Sequence, residues 1–200
     1  MKRLKLLLLG ERGVGRTTLI ESYVMGTSMV NSTSSRPRSL LQCGTASYNI
    51  NVVVDSSPYS LKLFDPESDI DTEELTQVLQ TEMPDAVLIV YDISQVETYE
   101  GVEGMFRMVR HVMPTVKCVL VSNKSDLRLV NPQGLPLVSV EEGNMLSEKL
   151  KMRYFIETSG VNLTNVGDLI DETVRIASPA ISEINFRFNS RKNRSGCILM

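Results

Sequence analysis

A glycine-rich segment near the N-terminus combines residue types that can together hold an anion. Residues 10–18 read GERGVGRTT, in which three glycines precede an arginine and two threonines. Glycine allows successive backbone N–H groups to point into one concave space, and the N-terminus of a following helix adds positive potential. The segment matches the phosphate-binding pattern G-x-x-x-x-G-K-[ST], except that Arg16 stands at the lysine position.

The segment therefore predicts a pocket for the phosphates of a nucleotide. Arginine is a broad planar fork where lysine is a compact ammonium, so Arg16 could still pair with β- or γ-phosphate oxygens after some displacement. The Thr17 hydroxyl is a candidate ligand for Mg²⁺. The other interpretation is a glycine turn that binds nothing. The predicted phosphate contacts in this segment are Gly10, Arg12, Gly13, Val14, Gly15, Arg16, Thr17 and Thr18.

A second polar cluster follows a buried apolar run, in the sequence VLVSNKSD at 119–126. The carboxylate of Asp126 can accept two hydrogen bonds from the N1 and N2 donors on one edge of guanine, and adenine lacks that pair. A base that left this carboxylate unpaired would be rejected. Ligands of wound α/β sheets bind at the carboxyl ends of strands, which is where this cluster is expected. Asn123, Lys124 and Asp126 thus predict guanine as the base.

The last four residues, Cys197 to Met200, fit the C-a-a-X pattern, in which a terminal methionine favours a farnesyl group on the cysteine. Four basic residues precede the pattern, and Glu183 is the one acidic residue from Pro179 onward. One lipid holds weakly, so the basic cluster would add attraction to an anionic membrane. The other interpretation is a chance cysteine beside a solvated charged tail. The basic residues are Arg187, Arg191, Lys192 and Arg194.

Apolar runs and helical periodicity alternate along residues 1–178, which predicts one α/β domain followed by a flexible tail at 179–200. We expect a mostly parallel six-stranded sheet with one antiparallel edge strand and about five helices. A long loop rich in Ser, Thr, Gly and Pro is predicted at 26–46. The predicted strands are Leu4–Leu9, Tyr48–Val54, Tyr59–Phe64, Ala86–Tyr91, Val116–Ser122 and Tyr154–Ile156. The predicted helices are Thr17–Met25, Glu73–Thr81, Tyr99–Val112, Glu141–Leu150 and Val166–Ser178.

Composition narrows the function classes. The 200 residues carry a net charge of -3, which gives no general attraction to nucleic acid, so we expect no nucleic-acid partner. Three cysteines, no signal peptide and no long apolar run predict a reduced, intracellular protein. Cys118 falls within a predicted strand and is expected to be a core residue. The lone His111 is expected at the surface.

Taken together, these motifs resemble those of the Ras superfamily of small GTPases over about residues 3–178. The similarity rests on GERGVGRT, NKSD, ETSG at 157–160 and VLIVYDISQVETYEGV at 87–102. It implies the three-layer phosphate-loop NTPase fold, GTP or GDP as ligand, Mg²⁺ as cofactor and a switching role. Effectors and regulators would bind through residues 26–46 and 65–80. With the tail, it implies the cytoplasmic face of the plasma membrane or an endomembrane.

The resemblance also implies roles for the base-binding residues. Asn123 would brace the pocket, the Lys124 stem would lie along the base, and Asp126 would read guanine. Thr158, Ser159 and Gly160 would line its far edge, with the Gly160 N–H reaching the carbonyl oxygen.

The second switch departs from the family pattern D-x-x-G-Q, since residues 65–69 read DPESD. Asp65 can still hold Mg²⁺ through water. Ser68 replaces the glycine whose N–H meets the γ-phosphate, and Asp69 replaces the glutamine that positions water. A carboxylate there adds negative charge where the transition state already carries an excess. Arg12 replaces a small residue and should crowd the attacking water, so hydrolysis of GTP is expected to be slow.

The first switch matches least. The family closes one threonine on Mg²⁺ and the γ-phosphate, and counting back from the hairpin without gaps reaches Cys43. Thr45 lies two residues away and is the favoured candidate, whereas Thr33 lies well upstream. Met29 is the nearest bulky residue to the position of the aromatic that covers guanine in the family. A long loop without a switching role is the other interpretation.

Three alternatives stay open. Arg12 could act as an arginine finger in cis, which an Arg12→Gly variant with unchanged or faster hydrolysis would exclude. The chain could be a pseudo-GTPase scaffold with fixed or no nucleotide, which measurable release of GDP and phosphate would exclude. A phosphate-loop kinase is a third class, and competition by ATP for bound guanine nucleotide would favour it.

Overall fold

The protein forms a seven-stranded sheet with helices on both faces, as seen in a computed structural model that describes residues 1–30, 39–40, 45–66, 70–131, 134 and 136–178. The strands are β1 (Lys2–Leu9), β2 (Ser39–Leu40), β3 (Ala46–Val54), β4 (Ser57–Asp65), β5 (Ala86–Asp92), β6 (Lys117–Asn123) and β7 (Tyr154–Glu157). The helices are α1 (Arg16–Val30), α2 (Thr72–Glu82), α3 (Val96–Val112), α4 (Val140–Lys149) and α5 (Val166–Ala177), with a 3₁₀ turn at Ser125–Arg128. None of the described helices is both long and apolar enough to cross a membrane.

The strand order is β2-β3-β4-β1-β5-β6-β7. The pairs β4-β1, β1-β5, β5-β6 and β6-β7 are parallel, whereas β3 runs antiparallel to both β4 and β2. The predicted fold class is confirmed, and the six predicted strands are all present. The two-residue strand β2 lengthens the antiparallel edge by one strand. Because the parallel strands share a direction, the segments that follow β1, β4, β5, β6 and β7 meet at one edge of the sheet.

The sheet separates two apolar cores. Alternate residues of β1 face opposite sides, so Leu6 and Leu8 join the core beneath α1 and α5, whereas Leu7 and Leu9 join the core beneath α2, α3 and α4. Every residue of β5 is buried, as expected for a central parallel strand covered on both faces.

Cys118 belongs to the second core and is fully buried, which confirms the prediction that it is a core residue. Burial raises the pKa of its thiol to about 11. The reactive thiolate is therefore scarce at neutral pH, and Cys118 is expected to be chemically inert.

The β3–β4 hairpin turns through Asp55 and Ser56, which have φ angles of 48° and 61°. Two positive φ angles in a two-residue connection are the geometry that matches the twist of the flanking strands. Arg175 of α5 holds the turn through two hydrogen bonds to the Asp55 carboxylate, at 3.0 and 2.9 Å. This pairing lowers the pKa of Asp55.

The prediction that residues 26–46 form a loop is wrong for residues 26–30, since α1 continues to Val30, and for Ser39–Leu40 and Ala46, which lie in β2 and β3. Residues 31–38 and 41–44 lie outside the described residues. Residues 26–30 show little of the apolar periodicity that predicts a helix. No proline that would interrupt a helix occurs there, since the first one is Pro37. A single glycine such as Gly26 costs a helix only about 1 kcal/mol, so a helix anchored by the buried Tyr23 and Val24 can continue through it.

Two helical glycines offer a matched test of packing. A Cβ at Gly143 of α4 would overlap the Phe155 ring and lie 2.7 Å from the Tyr91 hydroxyl oxygen, whereas a Cβ at Gly104 of α3 would meet nothing within 4 Å. Urea unfolding should show Gly104→Ala more stable by about 0.5–1 kcal/mol because alanine favours helix. Gly143→Ala should be less stable by about 1–3 kcal/mol through overpacking. Equal shifts in the two variants would contradict this packing.

Candidate functional site

The glycine-rich loop between β1 and α1 lies against the carboxyl ends of the parallel strands β5 and β6. A Cβ at Gly10 would collide with the carbonyl oxygen of Val90 in β5. Gly15 has a φ of +92°, and a Cβ there would lie 2.5 Å from Asn123 Nδ2 at the end of β6. Both glycines are therefore required by the close approach of other groups, and Gly15 also by its backbone conformation.

Asn123 joins the two predicted motifs. Its side-chain amide donates a hydrogen bond of 2.8 Å to the carbonyl oxygen of Val14 in the phosphate loop. The side-chain oxygen of the same amide, Oδ1, accepts a hydrogen bond of 3.3 Å from the hydroxyl of Thr158, which follows β7. All three residues are buried. One side chain thus fixes the phosphate loop, the base motif and the ETSG segment relative to one another.

Arg16 makes contacts that the sequence did not predict. Its Nη1 donates to the carbonyl oxygen of Gly10 at 2.8 Å, and its Nη2 donates to that of Pro66 at 2.7 Å. Its Nε lies 3.2 Å from Asp65 Oδ1, as an ion pair without the alignment of a hydrogen bond. Burial lowers the pKa of Arg16 and the charge of Asp65 opposes that shift, but arginine stays protonated in proteins. The guanidinium therefore lies inside the fold, with 6% of the side chain exposed.

The predicted Mg²⁺ ligands Thr17 and Asp65 are brought together. The Thr17 hydroxyl donates a hydrogen bond of 2.5 Å to Asp65 Oδ2. Hydroxyl and carboxylate oxygens are the hard donors that Mg²⁺ accepts, so the pair fits such an ion.

Thr45 lies near the same end of the sheet, because the next residue, Ala46, pairs in register with Asp65. Thr45 is buried, and its Oγ1 has no hydrogen-bond partner among the residues that the structure describes. A buried hydroxyl of this kind normally has a partner, so Thr45 is a residue from which a further ligand contact could come.

At the base end, Asp126 is held by Ser159. The Ser159 hydroxyl donates to Asp126 Oδ1 at 2.5 Å, and Ser159 Oγ itself accepts from the backbone N–H of Val161 at 3.2 Å. Lys124 adopts a left-handed backbone with φ of 67°, and its Nζ lies 2.7 Å from Oδ2 of Asp92 at the end of β5. The ammonium is thus anchored on a fully buried carboxylate, which orients its carbon stem.

An ion pair that the sequence analysis did not predict supports the ETSG segment. Glu157 accepts hydrogen bonds from Nε and Nη2 of Arg128, at 2.8 and 2.7 Å, and Nη2 also donates to the carbonyl oxygen of Val138. The hydrogen bond to Glu157 raises the pKa of Arg128. Since the two residues are 29 positions apart, no local spacing could reveal the pair.

Gly160 packs directly on the first turns of α1. Its carbonyl oxygen accepts a hydrogen bond of 2.6 Å from the Ser22 hydroxyl, and a Cβ at this position would lie 3.0 Å from Thr18 Cγ2. The helix that follows the predicted phosphate loop and the predicted far edge of the base pocket are therefore in contact.

The remaining predicted site residues divide into two groups. Arg12 and Gly13 are both exposed and lie in the loop beside the buried Val14. The predictions for Ser68, Asp69, Thr33, Cys43 and Cys197 fall outside the described residues, as does the side chain of Met29.

The sheet order, the loop after β1 and the polar wall at the strand ends define the fold of phosphate-loop nucleotide-binding proteins. Comparison with known families agrees, because the model described as the Ras family matches residues 5–178. The chain belongs to the Ras superfamily of small GTPases.

Individual relatives agree with this assignment. The chain is 29% identical over 171 residues to the Ras-related protein RABA1c of Arabidopsis thaliana, covering 85% of this chain and 73% of the relative. It is 28% identical to the Ras-related protein RIC2 of Oryza sativa subsp. japonica, with 85% and 72% covered. It is 29% identical to the Ras-related protein YPT3 of Nicotiana plumbaginifolia, again with 85% and 72% covered.

Removing the Asn123 amide should loosen the phosphate loop. Asn123→Ala leaves the buried Val14 carbonyl without its donor, which should lower the free energy of unfolding by about 1–3 kcal/mol in urea titrations. The control is Asn144→Ala, whose exposed amide donates to Val140 on the surface of α4 and should change stability by less than about 0.5 kcal/mol. Equal losses in the two variants would refute the role assigned to Asn123.

Proposed function

We propose that the chain is a membrane-anchored switch that binds GTP or GDP and hydrolyses GTP slowly. The single observation that carries the binding proposal is the hydrogen bond from Asn123 to Val14. It places the start of the base motif directly against the phosphate loop, so one ligand with phosphates at one end and a base at the other can contact both.

Guanine is proposed as the base because Asp126 is presented as an oriented acceptor. Its carboxylate is fixed by Ser159, and the loop that carries Ser159 is fixed in turn by Glu157, Arg128 and the strand pairing of β7. An oriented carboxylate favours a base with two adjacent donors and disfavours one that leaves it unpaired. The Lys124 stem, held by Asp92, would cover one face of the base.

Mg²⁺ is proposed as the cofactor, held by the Thr17 hydroxyl and by Asp65, directly or through water. When bound, the ion would supply positive charge to the phosphate oxygens. Thr45 is the proposed third contributor, since its buried hydroxyl has no partner within the described part of the chain.

Slow hydrolysis is proposed from residue types in the phosphate loop and the second switch. Asp69 puts negative charge where the family has a neutral glutamine, and Arg12 puts bulk where the family has a small side chain. The transition state of phosphoryl transfer spreads negative charge over the γ-phosphate oxygens, so a nearby carboxylate raises its energy. Effectors and regulators are proposed to bind through residues 26–46 and 65–80.

The first experiment identifies the nucleotide that copurifies with the full-length protein, by denaturation and chromatography. Bound GTP is the expected result, because slow hydrolysis leaves the triphosphate intact. Bound GDP would keep the binding proposal but contradict slow turnover unless a single-turnover assay shows a low rate. A protein that takes up neither nucleotide when Mg²⁺ is added would overturn the binding proposal.

Restoring the glutamine should speed hydrolysis. In single-turnover assays, Asp69→Gln is expected to raise the rate about tenfold or more, since it removes the negative charge and provides a neutral amide that can orient the attacking water. Asp69→Asn is the matched control, because it removes the charge without the longer side chain. If neither variant is faster than the natural chain, Asp69 does not limit the reaction.

The tail is proposed to carry a farnesyl group on Cys197. Mass spectrometry of the C-terminal peptide from protein expressed in eukaryotic cells should show that addition, and Cys197→Ser should move the protein from the membrane fraction to the soluble one. Met200→Leu is the matched control, since a terminal leucine favours a geranylgeranyl group and keeps the membrane association. An unmodified tail would overturn the anchor.

The second candidate function is a pseudo-GTPase scaffold without turnover. The observation that favours it is the placement of Arg16, whose guanidinium is satisfied by Gly10, Pro66 and Asp65 within the protein. Detectable release of phosphate by the purified chain, abolished in Asp126→Ala, would exclude it.

A further inference from the structure

The guanidinium of Arg16 lies at the junction of the phosphate loop and the end of β4, beside the pair that would hold Mg²⁺. We propose that Arg16 takes the place of Mg²⁺ as the counter-ion of Asp65, so that binding of guanine nucleotides depends only weakly on Mg²⁺. This inference rests on the proposed function, because it concerns how the same pocket holds its nucleotide.

The geometry requires an arginine. Nη1 reaches the Gly10 carbonyl oxygen, Nη2 reaches the Pro66 carbonyl oxygen, and Nε faces the Asp65 carboxylate. These three groups belong to the phosphate loop and to the end of β4, so one planar side chain connects both walls. A lysine has a single nitrogen on a flexible stem and could not hold the same three contacts in one plane.

The charge balance follows from these contacts. Asp65 is buried with 6% of its side chain exposed, and a buried carboxylate is costly unless it has a counter-charge. The Thr17 hydroxyl takes one carboxylate oxygen but contributes no charge. Arg16, equally buried, faces the other oxygen, so Asp65 already has its counter-ion within the fold.

A divalent cation gains less at such a site. In a loop whose lysine points to the phosphates, Asp65 would depend on the metal for its counter-charge. Here the carboxylate is neutralised, and the guanidinium also repels a second cation nearby.

The test compares the affinity for a fluorescent GDP analogue in excess MgCl₂ and in excess EDTA. The natural chain should lose less than about tenfold in affinity without the metal, whereas Arg16→Lys should lose more than about a hundredfold, each factor of ten being 1.4 kcal/mol. Arg107→Lys is the control, because Arg107 is an exposed arginine on α3 that pairs only locally with Glu103, and it should behave as the natural chain.

The outcomes separate this inference from the proposed function. If the natural chain and Arg16→Lys both lose more than about a hundredfold in affinity in EDTA, the inference is overturned, but guanine-nucleotide binding is not. No binding of the analogue in either solution would overturn the proposed function and the inference with it. If Arg16→Lys does not fold, as judged by circular dichroism, the ratio for the natural chain alone decides.

Discussion

The hydrogen bond from Asn123 to Val14 is the contact on which the candidate site depends. It links residues 109 positions apart, and it forms only because β1, β5 and β6 are parallel and end at one edge of the sheet. The loop after β1 can approach β6 that closely because Gly15 has no side chain in the way. The candidate site therefore forms because the parallel strands, packed on both faces, bring the polar residues at their ends together at one edge of the sheet.

Three ion pairs lie at this edge of the sheet, where the parallel strands end. Arg16 faces Asp65, Lys124 faces Asp92, and Arg128 is paired with Glu157, so these three cations each have a carboxylate partner within the fold. Of the three pairs, Arg16 and Asp65 are both buried, and breaking such a pair by removing one partner costs about 3–5 kcal/mol. A carboxylate of fixed orientation is what the proposed selection of guanine by Asp126 requires.

The departures from the family pattern are concentrated at the phosphate end. In the predicted base motifs, Asn123, Asp126 and Ser159 keep the residue types of the family, whereas Arg16, Ser68 and Asp69 change groups proposed to meet the γ-phosphate. The residues proposed to recognise the base lie at the ends of β6 and β7, whereas those proposed to slow hydrolysis lie in the segments that follow β1 and β4.

The sequence by itself determined the alternation of strands and helices, the β3–β4 hairpin and the identity of both motifs, since hydrophobic periodicity, the order of elements and glycine spacing are local properties. It did not determine the length of α1, because residues 26–30 show no helical apolar periodicity from which the end of the helix could be read. Nor could it pair Arg16 with Asp65 or Arg128 with Glu157. Those contacts depend on which strand ends become neighbours, and only the tertiary structure decides which buried charge has which counter-ion.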